Sequence, residues 1–109
     1  MATFDEREKG FETKYKRDQE LQFKVNARRN KLLGLWAAEK LGLKDAAAEA
    51  YAKTVVASDF DRPGDDDVVQ KVTADLNAKG IALGEKESRK EMDRLLPLAR
   101  TQIEGEVRK

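Results

Sequence analysis

Cysteine and histidine are both absent from the 109 residues. Their absence removes disulfides, thiol nucleophiles, Cys/His zinc sites and imidazole acid–base chemistry together. Carboxylates remain in number, but on charged stretches with nothing to raise a pKa, so general acid–base work has no support. Asp59, Asp61, Asp65, Asp66 and Asp67 could attract a divalent cation. Their spacing lacks the loop glycine and terminal glutamate of a calcium-binding hand, and helix capping is the stronger account. The run Gly80-Ile81-Ala82-Leu83-Gly84-Glu85-Lys86-Glu87 has three residues between its glycines, no Ser/Thr after the lysine and no strand before it. It therefore reads as a helix–helix connection and not as a phosphate loop. Ala27-Arg28-Arg29-Asn30-Lys31 could face nucleic acid. Acidic residues lie within a few turns and no aromatics are interleaved to stack on bases, so a solvated helix face is favoured. The expectation is a protein with no catalytic site, no metal, no cofactor and no nucleic-acid partner.

The elements that carry these residues follow from composition and punctuation. Hydrophobic residues make up 39% of the chain, enough for one thin core. Charged residues also make up 39%, well above the usual quarter, so most helix surfaces must be solvated. Lysine plus arginine (22) nearly balances aspartate plus glutamate (21), and no global field draws the chain to DNA or a membrane. The opening Met1-Ala2-Thr3-Phe4-Asp5-Glu6 has no apolar h-region and no run approaches a membrane span, so direct membrane insertion is not expected and a cytoplasmic location is.

Two prolines and seven glycines divide the chain into four helical stretches with no sustained period-2 alternation, which predicts an all-α four-helix bundle. The first stretch runs from about Phe4 to Leu41. Thr3 and Glu6 form a capping box at its start and Gly42 supplies a left-handed C-cap. Gly10 and Gly34 each cost about 1 kcal/mol relative to alanine, and Gly10 is the expected point of fraying or bending. The second runs from about Lys44 to Ser58, its alanines allowing close helix approach, with Tyr51, Val55 and Val56 supplying bulk. Residues Asp59 to Gly64 are expected as a loop because Pro63-Gly64 is a strong turn signal. Asp65 or Asp66 N-caps the third helix, which runs to about Lys79 with Val68, Val69, Val72 and Leu76 on one face. The fourth runs from about Glu85 to 105, burying Met92, Leu95, Leu96, Ala99 and Ile103. Pro97 inside it should kink it or divide it in two. The bundle proper is assigned to 21–109, with helices at about 21–41, 44–58, 66–79 and 85–105.

The first helix changes character halfway. Leu32, Leu33, Leu35, Trp36 and Leu41, extended by Leu21, Phe23 and Val25, read as core. Toward the N-terminus the apolar positions thin to Phe4, Phe11 and Tyr15, at spacings of seven and four, among ten charged neighbours. At about 25 cal/mol per Å² such a stripe offers only a few kcal/mol against ordering roughly fifteen residues. Residues 1–20 are therefore expected to be mobile or frayed in the free protein and to fold on entering a partner's groove. A solvated helix end that contacts nothing is the competing reading.

Specific blocks of this sequence resemble a known family. Phe4-Asp5-Glu6-Arg7-Glu8-Lys9 with Phe11-Glu12, and above all Ala27-Arg28-Arg29-Asn30-Lys31-Leu32-Leu33-Gly34-Leu35-Trp36-Ala37-Ala38, are similar to the zeta inhibitor subunit of the alphaproteobacterial F-type ATP synthase. Ala50-Tyr51-Ala52-Lys53 with Val55-Val56, and Asp59-Phe60 with Pro63-Gly64-Asp65, agree with it too. The resemblance implies a four-helix bundle whose mobile N-terminal segment becomes helical on entering an α/β catalytic interface of the ATPase head, blocking rotation during hydrolysis. It places the inhibitory stretch at about Ala2 to Arg17, with Phe4, Phe11 and Tyr15 as anchors and Arg7, Lys9, Lys14, Lys16 and Arg17 among the partner-binding residues. It implies a location peripheral to the membrane through the ATP synthase head. For some members it also implies a weak adenine-nucleotide contact on the bundle, for which no motif here assigns residues. A nucleotide-binding bundle without inhibitory action is the alternative reading.

Overall fold

Two left-handed glycines decide where two of the helices stop. Gly42 has φ 80°. Its amide donates to the Glu39 carbonyl (3.1 Å) and the following Leu43 amide donates to the Ala38 carbonyl (2.9 Å). This paired 6→1 and 5→2 pattern satisfies the last carbonyls of a helix. Gly80, with φ 82°, repeats it: its amide donates to Asn77 and that of Ile81 to Leu76, both at 2.9 Å. The resulting elements are α1 (Phe4–Lys40), α2 (Asp45–Asp61), α3 (Asp65–Ala78) and α4 (Glu85–Val107). They come from a computed structural model that describes the backbone of residues 4–61 and 64–107 and the side chains of 18–59 and 64–106. The capping box at Thr3 and Glu6 lies outside the described residues.

The four helices form a compact bundle in which α1 packs most extensively against α2 and α4. Its main core joins Leu33 and Ala37 of α1, Val55 of α2, the α3 line Val68, Val69, Val72 and Leu76, and Met92 and Leu95 of α4. A smaller cluster of Val25, Ala99 and Ile103 holds α1 to the second half of α4, with Leu21, Leu32 and Leu96 packed against it. The α3 and α4 faces therefore match their sequence periodicity. Gly34 is explained by packing: a Cβ there would lie 2.7 Å from the Ala52 Cα, so the glycine lets α1 and α2 approach backbone to backbone. The cost of glycine inside a helix is offset by that contact.

Several expectations are corrected. Residues 59–61 are helical, not loop, because a proline disfavours helix only for the residue just before it. Nothing earlier stops α2, and Asp59 instead accepts a hydrogen bond from the Gly64 amide (3.2 Å). The N-cap of α3 is Gly64, φ 144°, without a side-chain cap bond. The aspartates sit inside the first turn, where they favour the positive dipole end and turn their carboxylates to Arg29 and Arg89. Pro97 does not divide α4, which continues from Glu85 to Val107. Pro97 and Asp93, four residues earlier, are both exposed, so the carbonyl deprived of its donor lies on a solvated side. Phe23 is 54% exposed and is not core, since two residues from Val25 turn a helix by roughly 200°. α1 is one unbroken helix through both Gly10 and Gly34.

The Arg28–Lys31 run departs furthest from the reading of a solvated face. Arg29 and Asn30 are buried, at 5% and 0% exposure. Arg29 falls on the same line as Val25, Leu32 and Leu33, and a charge placed there must find partners. Its guanidinium donates to the Asn30 Oδ1 (3.2 Å) and to the Asp65 Oδ1 (2.6 Å). Two further polar pairs join helices, one buried and one half-buried. The Thr73 and Ser88 hydroxyls meet at 3.1 Å, and Tyr51 donates to Asp75 at 2.8 Å. Burial, reinforced by that hydrogen bond and by the Asp75 charge, pushes the Tyr51 phenol well above its ordinary range.

Candidate functional site

The candidate site is the N-terminal part of α1, and its setting is decided by how cover along α1 runs out. Leu33 and Ala37 belong to the main core and face the other three helices. Leu32, the residue before Leu33, touches both clusters, and Val25, about two turns earlier, belongs only to the smaller one. Leu21 is half-buried, and Asp18, Gln19 and Glu20 are exposed. α1 has 37 residues, about 55 Å at roughly 1.5 Å per residue. It dominates a molecule measuring 66 × 27 × 22 Å. Among the described residues, Leu21 is thus the first apolar side chain of α1 packed on the bundle, against the cluster shared with the last turns of α4.

Polar contacts tie α1 down at that end. Arg28 reaches across to α4, its Nη1 donating to Gln102 Oε1 at 2.9 Å and its Nη2 to Glu106 Oε1 at 2.6 Å. One residue on, Arg29 ties α1 to the first turn of α3 through Asp65. A guanidinium presents several donors in a rigid fork, which suits two acceptors one helical turn apart. Beside this tie lies an open groove of about 490 Å³, lined by Phe23, Lys24, Ala27, Lys31, Val56 and Ile103, with Arg28 and Glu106 at its edge. A smaller recess of about 280 Å³ continues from Lys31 and Val56 to Lys53 and Glu49. The rim is cationic on balance and the floor apolar.

The sequence matches the family model for the ATPase inhibitor subunit zeta over residues 1–102. The chain belongs to the ATPase inhibitor subunit zeta family. A structure determined by solution NMR is 45% identical to it, with a TM-score of 0.69 over 79% of this chain and 98% of that one. No curated protein matches. The zeta family is regulatory and not enzymatic, and its description as an ATPase inhibitor gives this member a partner class, the F-type ATPase. No helix among the described residues is long and apolar enough to cross a membrane.

The zeta match includes every residue singled out for docking: Phe4, Arg7, Lys9, Phe11, Lys14, Tyr15, Lys16 and Arg17. Their backbone belongs to α1 and their side chains lie outside the described residues. What sequence reasoning missed is the set of residues that holds the base of this segment: Arg28 with Gln102 and Glu106, and Arg29 with Asn30 and Asp65. Arg29 carried a legible signal, a charge on the apolar line of a helix. Arg28 carried none, because its acceptors are 74 and 78 residues away.

Proposed function

We propose that this zeta-family protein inhibits ATP hydrolysis by the F-type ATPase by inserting its N-terminal stretch, about Ala2 to Arg17, at an α/β catalytic interface of the head. Phe4, Phe11 and Tyr15 act as apolar anchors and Arg7, Lys9, Lys14, Lys16 and Arg17 as pairing charges. The observation that carries this reading is that the family match extends through the weakly self-supporting segment itself. The physical support is that Asp18, Gln19 and Glu20 are exposed and Leu21 is half-buried, while the sequence before them is sparse in apolar residues. A stripe of three aromatics ahead of that point has to be covered by a partner before it stabilises a helix. On ideal helical spacing the positions 4, 11 and 15 fall in phase with 29, 33 and 36, so the docking stripe continues the line that is core inside the bundle.

Inhibition needs no chemistry from the inhibitor. A helix wedged where two subunits must move against each other raises the energy of the next rotary state, and bound area sets how tightly it holds. Adding the full-length chain to the ATPase during turnover should lower hydrolysis to a residual level. A chain lacking residues 2–17 should leave hydrolysis unaffected while keeping the helical circular-dichroism signal of the bundle. Equal inhibition by the truncated chain would remove the assignment of the segment.

A second reading has one observation in its favour. The groove beside Phe23 and Ala27, with Lys24 and Lys31 at its rim, has the mixed apolar and cationic character that an adenine nucleotide requires. Titrating ATP or ADP while following amide chemical shifts separates the two readings. Saturable changes centred on these residues, with no inhibition of the ATPase, would favour the ligand-binding bundle.

A further inference from the structure

We infer that Arg28 is a positioning residue: by clasping Gln102 and Glu106 it fixes the point at which α1 leaves the bundle, and so how the inhibitory segment is presented. This rests on the docking reading above.

The cluster that holds this part of α1 is small. Only Val25, Ala99 and Ile103 are buried in it, against nine residues in the main core. N-terminal to Val25 the residues 22–24 are exposed and Leu21 is half-buried. The clasp is the polar counterpart of that cluster, placed across the same pair of helices at the same level. Arg28 lies three residues after Val25, and Gln102 and Glu106 flank Ile103 on α4. Its geometry is that of a bidentate bridge, 2.9 Å to Gln102 and 2.6 Å to Glu106, with the Arg28 side chain 25% exposed and that of Glu106 54%. The solvent that reaches it keeps its contribution modest.

The consequence for docking is entropic. With the clasp closed, the helix is anchored to the bundle as far as about residue 21, and the inhibitory segment is presented as an extension of an already formed helix. Helix growth from an existing end avoids the nucleation penalty that an isolated segment must meet. With the clasp open, residues 21–28 join the unsupported stretch, and each adds conformational freedom that docking must then remove. The last turns of α4 thereby act on the segment through Arg28.

The test uses the full-length chain in three forms: wild type, Arg28→Glu, and Arg28→Glu with Glu106→Arg. Amide hydrogen exchange is followed at residues 18–28 and, as a control for global stability, at 68–76. Inhibition is measured on the same samples. Arg28→Glu is expected to speed exchange at 21–28 and to raise the concentration for half-inhibition, each by about fivefold, the size set by one partly exposed ion pair. The 68–76 amides should stay unchanged, and the charge-swapped double variant should recover both losses. Unchanged exchange at 21–28, equal acceleration at 68–76, or failure of the swap to recover would each overturn the clasp. Faster exchange without weaker inhibition would overturn its positioning role. Should the wild type itself fail to inhibit, the docking reading falls, and the exchange data alone decide whether the clasp exists.

Discussion

α1 is one helix with two physical regimes. From Val25 to Ala38 it buries Val25, Leu33, Ala37 and Ala38 against its neighbours. There the stability comes from tertiary packing, and the local sequence can tolerate Gly34 because the glycine gains a close contact. Before Leu21 the sequence offers helix formers, dense charge and a sparse aromatic stripe of Phe4, Phe11 and Tyr15. Short helices with local support alone are marginal in water. The comparison teaches that stability and partner recognition are separable in this chain. The C-terminal half buries its apolar face within the bundle, and the N-terminal half carries the segment proposed for docking.

The largest expected effect comes from removing the second regime. Deleting residues 2–17 should abolish inhibition of the ATPase and move the thermal midpoint by no more than about 2 °C, since little buried area is lost. A large drop in the midpoint would break the comparison, because the N-terminal stretch would then be part of the core. The converse perturbation is Gly34→Val. Its Cβ would meet the Ala52 backbone at 2.7 Å, so the α1–α2 pair must separate, at about 1–3 kcal/mol as urea unfolding would show. Under conditions where the variant remains folded, half-inhibition should stay where it is in the wild type.

A finer test strengthens the docking half without touching the bundle. Gly10→Ala adds about 1 kcal/mol of helix propensity and should lower the concentration for half-inhibition by about fivefold, with no change in urea midpoint beyond error. If tighter inhibition does not follow, helix formation in the segment is not what limits docking. The smallest effect is expected at Tyr51→Phe, which loses the hydrogen bond to Asp75 and should cost about 1 kcal/mol. The sign of its pH dependence is fixed by the upward shift. In the wild type the neutral phenol is favoured by folding, so its contribution is complete below the unfolded-state pKa of about 10 and is lost as pH rises beyond it. Comparing denaturation at pH 8 and above pH 10 should show a smaller alkaline loss in the phenylalanine variant, while inhibition at neutral pH is unaffected.

Much of this molecule could be read directly from residue order. The helix stops at Gly42 and Gly80 were legible because a left-handed glycine is a local feature, decided by the residues within one turn. The core faces of α3 and α4 were legible because burial at one face imposes the helical period on the sequence. The segment proposed for docking stands out in the sequence for the opposite reason, an apolar period too sparse to build a core amid dense charge. The end of α2 was placed too early, and Phe23 was assigned to the core, because both depend on which neighbours continue alongside.

The sequence by itself determined the four helices, the absence of cysteine and histidine chemistry, and the sparseness of apolar residues at the start of α1. Those are properties of local propensity, composition and period. Only the tertiary structure decided that Gly34 is a contact with Ala52, that Arg29 is buried against Asp65, and that Arg28 joins α1 to Gln102 and Glu106. Each of these pairs residues far apart in the chain. Whether a charge lies in solvent or in a clasp is set by which helix the fold brings beside it.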